Sequence, residues 1–209
     1  MWRGFYDEML KIAGEPLKVE EALSLPAGSV KELKGRLKPG DILFTAPHRK
    51  EMGVFSRYIF KPVSRKIQHT DYGHASLYVG KGHIMEARMG EGTKRRSLRH
   101  VARKNHIIAF RPNVPHEESQ AAVSYAVRQH GRPYSMKHLI QSAFPVRSVF
   151  GRRHSRKPEE SQAHICSTLV ANAYPRRQFS GVSRLVTRPS EIMQSSILSP
   201  VGSFRRSEA

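Results

Sequence analysis

His74-Ala75-Ser76-Leu77-Tyr78-Val79, then Gly80-Lys81-Gly82, then His83-Ile84-Met85-Glu86-Ala87 are two apolar-rich runs of strand length around a glycine-bearing turn. This pattern reads as a β-hairpin. Alternation along the first run sends Ala75, Leu77 and Val79 to the core and leaves His74, Ser76 and Tyr78 on the other face. The turn decides more than the fold. His74 and Glu86 share a face only if opposed residues sum to an even number. A three-residue loop, Gly80–Gly82, pairs Val79 with His83 and sets Glu86 opposite Ser76, diagonal to His74. A two-residue loop at Gly80-Lys81 would turn Glu86 away. An imidazole and a carboxylate brought together in this way gain chemical meaning from the single cysteine, Cys166, in His164-Ile165-Cys166-Ser167-Thr168-Leu169. Its helix is expected over 166–173, so the thiol stands where a loop enters a helix. There the free N–H groups and the macrodipole favour a thiolate and could also form an oxyanion hole.

Outward from these segments, Lys38-Pro39-Gly40-Asp41 is a turn leading into an apolar strand through Thr45, and 106–110 is a further β-run. Helices are expected over 2–13, 18–23, 51–60, 117–130, 135–144 and in a short piece from Pro189. Gly131 and Pro133 close the helix at 117–130. Residues 90–104, rich in Lys and Arg, read as an exposed loop, and 145–161 as a flexible basic one. The expected organisation is a helical appendage over 1–34, a main domain over 35–200 and a frayed basic tail over 201–209.

The chain has 209 residues, enough for one domain, with 36 Lys+Arg against 17 Asp+Glu and a net charge of +19. A balance this lopsided predicts an anionic partner, such as a cell-wall polymer or a lipid surface. Nucleic acid fits the charge too, but no reading motif supports it, and neither basic run carries an aromatic for stacking beyond Phe150. One cysteine excludes an internal disulfide and a multi-thiolate metal centre. The eleven histidines form no His-x-x-x-His pair, so neither a metal site nor a cofactor is expected. No apolar run is long enough to span a bilayer, and Asp7 and Glu8 interrupt what a secretory signal would need. The expectation is a protein that starts in the cytoplasm where it is made, with virion association as one route out.

Taken together, Pro39–Phe44, Gly73–Gly80, Ile84–Ala87, Gly131–Ser135, Ile165–Tyr174 and Arg188–Ile192 occur in an order that resembles the circularly permuted branch of the NlpC-type papain-like hydrolases. These are the YiiX-like enzymes, with lecithin:retinol acyltransferase-like proteins as relatives. The resemblance runs over about residues 37–195. It implies an α+β, permuted papain-like fold, with an antiparallel sheet of about four to six strands and the nucleophile helix packed on it. It further implies a thiol hydrolase or acyltransferase with Cys166 as nucleophile, His74 as base and Glu86 as the residue that orients His74. Asp41 and Tyr134 fall on motif positions and read as structural. The implied substrates are peptidoglycan-peptide amides or lipid acyl esters, the cell-wall amide being favoured. The basic runs and the N-terminal helices have no counterpart in that pattern.

Plainer readings stand beside these. A lone cysteine is often a small buried apolar residue, His74 could be an ordinary strand histidine, and Glu86 could simply pair with an arginine. The alternative function is a non-catalytic structural or binding component, for instance of a virion, built on the same fold, with 1–34 docking on a protein partner.

Overall fold

The computed structural model describes residues 18–47, 72–134, 165–174 and 189–206. The helices expected over 2–13, 51–60 and 135–144 and the loop over 145–161 lie outside the described residues. Within them the protein is a mixed α+β structure around a six-stranded sheet in which every neighbouring pair is antiparallel. In chain order the elements are α1 (Val19–Leu23), α2 (Val30–Arg36), β1 (Ile42–Pro47), β2 (His74–Gly80), β3 (His83–Arg88), β4 (Gly92–Ser97), α3 (Leu98–Ala102), β5 (Asn105–Pro112), α4 (His116–Arg128), α5 (Cys166–Ala173), α6 (Pro189–Met193) and β6 (Leu198–Phe204). The strand order across the sheet is β4-β3-β2-β1-β5-β6.

Both faces of the sheet are covered, which explains why its central strands are apolar on each side. One face presents Ile42, Phe44, Leu77, Met85, Ile108 and Phe110 to a core closed by Leu169 and Val170 of α5, Ala122 and Ala126 of α4 and Ile192 of α6. Phe44 and Phe110 meet there edge to face at 5.8 Å. The other face carries Leu43, Tyr78, Ile84, Ile107 and Ala109 under Leu33 of α2 and Leu98, Val101 and Ala102 of α3. Tyr78 and Ser76, expected to face away from the core, are therefore buried in this second layer.

The hairpin closes differently from either expected loop. Gly80 pairs with His83 across a two-residue turn, Lys81-Gly82, with φ of 53° and 76°. Positive φ at both positions gives the turn whose twist matches the strands it joins. A bulge between Tyr78 and Gly80 then leaves Val79 unpaired, so the expected Val79–His83 pair does not form. Beyond the bulge, Tyr78 opposes Ile84 and Leu77 opposes Met85. That is the even-sum register, and carried one residue further it sets Glu86 opposite Ser76. The extra residue does the work assigned to a third loop residue.

Three further expectations change. Residues 92–102 are not a loop but β4 and α3, with Leu98, Val101 and Ala102 buried. The tail is not frayed from residue 201: Val201–Phe204 complete β6, where Gly202 opposes Ala109 and Phe204 opposes Ile107. Backbone bonds to β5 outweigh the weak strand propensity of Pro200 and Gly202 at a sheet edge. The boundary at residue 34 falls inside α2, whose Leu33 is completely buried. Ala22 of α1 is in the main core as well, and the backbone at Ala27 and Ser203 joins this segment to β6.

Candidate active site

α5 begins at Cys166 because Thr168 satisfies the backbone at its entry: its hydroxyl accepts from Ile165 N–H at 3.0 Å and donates to the Ile165 carbonyl at 3.0 Å. Seven of its eight residues are buried, and the helix packs across β2 and β3. Cys166 is thereby fixed at the first helical position, 8% exposed. The backbone N–H groups of Ala75, on β2, and Ser167 donate to its sulfur.

His74 is at the start of β2 and hydrogen-bonds Cys166. Its Nε2 lies 2.7 Å from Oε2 of Glu86. Nδ1 is then the ring nitrogen left for the thiol, and the imidazole bridges nucleophile and carboxylate. The three residues that the sequence singles out converge.

Electrostatics follow from this geometry. Burial alone would raise the Cys166 thiol, but the His74 charge, its hydrogen bond and the two backbone N–H groups bring it below its ordinary value. Burial would lower His74. The thiolate and the Glu86 carboxylate outweigh it and carry the imidazole up to about 9. Glu86, 1% exposed, is raised by burial yet ends below the usual carboxylate range through His74, Arg88 and Arg96. Each shift favours a thiolate–imidazolium pair backed by an ionised carboxylate.

Three partners of this site are not legible as such in the sequence. Arg96 Nε stands 2.7 Å and Arg88 Nε 3.1 Å from Oε1 of Glu86, the oxygen that His74 does not use. The Arg96 contact is an ion pair off the line of a hydrogen bond. Arg96 also pairs with Glu91. Only the register of β3 on β4, with Ile84 opposite Arg96 and Glu86 opposite Lys94, reveals that a residue of the basic run turns inward. Tyr134 is the third. Burial and the Cys166 charge both push its phenol up, so this residue lies within electrostatic reach of the sulfur. Asp41 is structural: Arg111 donates to Oδ1 through Nε and to Oδ2 through Nη2, each at 2.8 Å. Among the described residues no group of three His, Cys, Asp or Glu side chains could hold a metal. No helix among them is long and apolar enough to cross a membrane.

Compared with known proteins, the chain matches no protein-family model, and no curated protein matches it significantly.

Proposed function

We propose that the protein is a thiol hydrolase with a permuted papain-like arrangement, cleaving an amide or ester through an acyl-enzyme on Cys166. The observation that carries this reading is His74 held between Cys166 and Glu86, with the thiol lowered and the imidazole raised. A thiolate at neutral pH is the reactive form of cysteine, and an imidazolium beside it is the acid that a leaving group needs. The chain order His, Glu, Cys and the surrounding segments resemble the YiiX-like branch, which supplies the substrate classes.

In the reaction, the Cys166 thiolate adds to the substrate carbonyl carbon. The tetrahedral intermediate collapses as His74 gives its proton to the departing amine or alkoxide, leaving a thioester. Neutral His74 then takes a proton from water, whose oxygen attacks the thioester. The acid is released, the thiolate returns and His74 is again protonated. Glu86 holds the ring and favours its cationic form throughout. The preferred substrate is a cell-wall peptide amide, and a lipid acyl ester is the alternative.

The test is the pH dependence of Cys166 alkylation by iodoacetamide in the wild type and in His74→Ala. The expected wild-type thiol reacts well below pH ~8, and His74→Ala moves its reactivity up to the range of an ordinary buried thiol. A thiol that is slow and indifferent to His74 overturns the reading. With a reactive pair in hand, release of amine from a cell-wall peptide against release of fatty acid from an ester decides the substrate class.

A further inference from the structure

The basic run that the candidate site leaves unexplained divides in the structure. Arg96 turns to Glu86, whereas Arg99, Arg103 and Lys104 line a groove on the α2–α3 side of the sheet toward the hairpin end of β2. This groove has a volume of about 1000 Å³, the size that takes one ligand headgroup or a short polymer segment. Lys31 and Lys34 of α2 form its other wall, and Lys81 closes the end at the hairpin turn. All six of these cations are exposed. No Asp or Glu lines the groove, and none of the six forms an ion pair with a described residue. Glu32, their nearest acidic neighbour in sequence, is engaged by Arg36 and by Gly28 N–H. Among the described residues nothing neutralises this concentration of positive charge, which raises the energy of the folded chain by self-repulsion.

The floor separates the candidate ligands. It is apolar, made by Val30, Leu98, Ala102 and Phe204. A polynucleotide groove would set a series of aromatics along the phosphate track, and here Phe204 is joined only by the His83 imidazole among the lining residues. A cationic rim over an apolar floor suits a ligand that has phosphate at one end and hydrocarbon next to it. We propose that the α2–α3 groove binds the phosphate headgroups of an anionic lipid surface, anchoring the protein there. Phosphate takes the lysine and arginine rim while the glycerol and first methylenes cover the floor. The groove and His74 are at opposite ends of β2, roughly 20 Å apart at the rise of an antiparallel strand. Anchoring therefore leaves the Cys166 side free to reach substrate, and it holds whether or not Cys166 is a nucleophile.

The experiment is co-sedimentation of the full chain at physiological ionic strength with vesicles of equal parts phosphatidylcholine and phosphatidylglycerol, against phosphatidylcholine alone. The expected result is binding to the anionic vesicles only. Lys34→Glu and Arg99→Glu should each weaken it about tenfold, since one basic residue near an anionic surface is worth about 1 kcal/mol and a reversal adds repulsion. Arg128→Glu, on α4 across the sheet, makes the same change in net charge and should cost much less. Cys166→Ser should leave binding unchanged, which keeps this site separate from the catalytic reading. Cys166 alkylation in each charge variant reports that the fold is intact. Absence of vesicle binding overturns the proposal. So does an equal loss in Arg128→Glu, which would mean diffuse attraction, or displacement of the vesicles by a single-stranded oligonucleotide that binds tighter with the same Lys34 and Arg99 dependence.

Discussion

At the scale of single residues, the chemistry depends on how much negative charge His74 can face. Glu86 is the buried source of that charge, and Arg96 and Arg88 grip its second oxygen. Burial works to neutralise Glu86, and Arg96 is one of the groups that keep it ionised. Arg96→Gln therefore raises the Glu86 carboxyl. As pH falls, Glu86 takes up its proton earlier and ceases to favour the His74 cation, so the acid limb of kcat/KM moves to higher pH. The alkaline limb, set by His74 near 9, is expected to hold its place. The variant should also lose about 1–3 kcal/mol of stability, because a buried oxygen loses its closest partner. A pH–rate profile with a thermal melt checks both. If Arg96 is only part of the frame, the profile drops in height without shifting. The reach of sequence reasoning is visible in these residues. His74, Glu86 and Cys166 were legible because two strands and one helix start fix their relative placement. Arg96 was not, since a run of lysines and arginines gives no sign of which side chain turns inward.

At the scale of elements, the same ambiguity hid β4. Edge strands carry charge against unwanted pairing, and Lys94-Arg95-Arg96 has the composition of a loop for that reason. α2 was legible in principle: Ser29 accepts from Glu32 N–H at 3.1 Å, and Ser-x-x-Glu is a helix-start signal. β6 gave no such sign, because Pro200 and Gly202 obscure its alternation and only pairing with β5 makes it a strand. One contact between elements bears on the site. Thr93 N–H donates to Arg132 O at 2.8 Å and Gly131 N–H to Thr93 O at 2.8 Å, so β4 holds the Gly-Arg-Pro-Tyr segment that carries Tyr134. Gly92 makes this possible, with φ +70° and room for no side chain: a Cβ there would be 2.5 Å from Arg132 O. Gly92→Ala must move backbone rather than a flexible side-chain end. It is expected to cost roughly 1–3 kcal/mol and to loosen the segment beside Cys166. Urea unfolding measures the first effect, and altered Cys166 alkylation the second. An unchanged midpoint would show that the segment is not held by this contact.

Across the whole molecule, one buried ion pair ties the sheet to its α2 layer. Asp41, 1% exposed, precedes β1 and accepts both Arg111 bonds together with Lys38 N–H at 2.8 Å. Arg111, on β5, also donates from Nη2 to the Arg36 carbonyl at the end of α2 at 2.9 Å. The Pro-Gly-Asp motif is thus a clasp, and Gly40 within it meets Tyr174 of the α5 end, whose hydroxyl donates to its carbonyl. Removing Arg111 strands a buried carboxylate, which typically costs about 3–5 kcal/mol. Arg111→Leu keeps an apolar stem and loses the charge, so its deficit should have a particular pH dependence. Burial already pushes the Asp41 carboxyl above its usual range while Arg111 pulls it down. Without Arg111 the carboxyl rises further, and a group whose folded value exceeds its unfolded one costs stability as pH rises and it ionises. The gap between wild type and Arg111→Leu is therefore widest near neutral pH and narrows as pH is lowered and Asp41 takes up its proton. Paired thermal melts from pH ~7 down to ~3 cross the ordinary aspartate value of about 3.9 and measure that gap. A gap that stays constant would mean that Arg111 acts through packing alone. Cys166 should keep its alkylation profile in the folded variant, because the clasp touches α5 at Tyr174, the end of that helix far from the thiol.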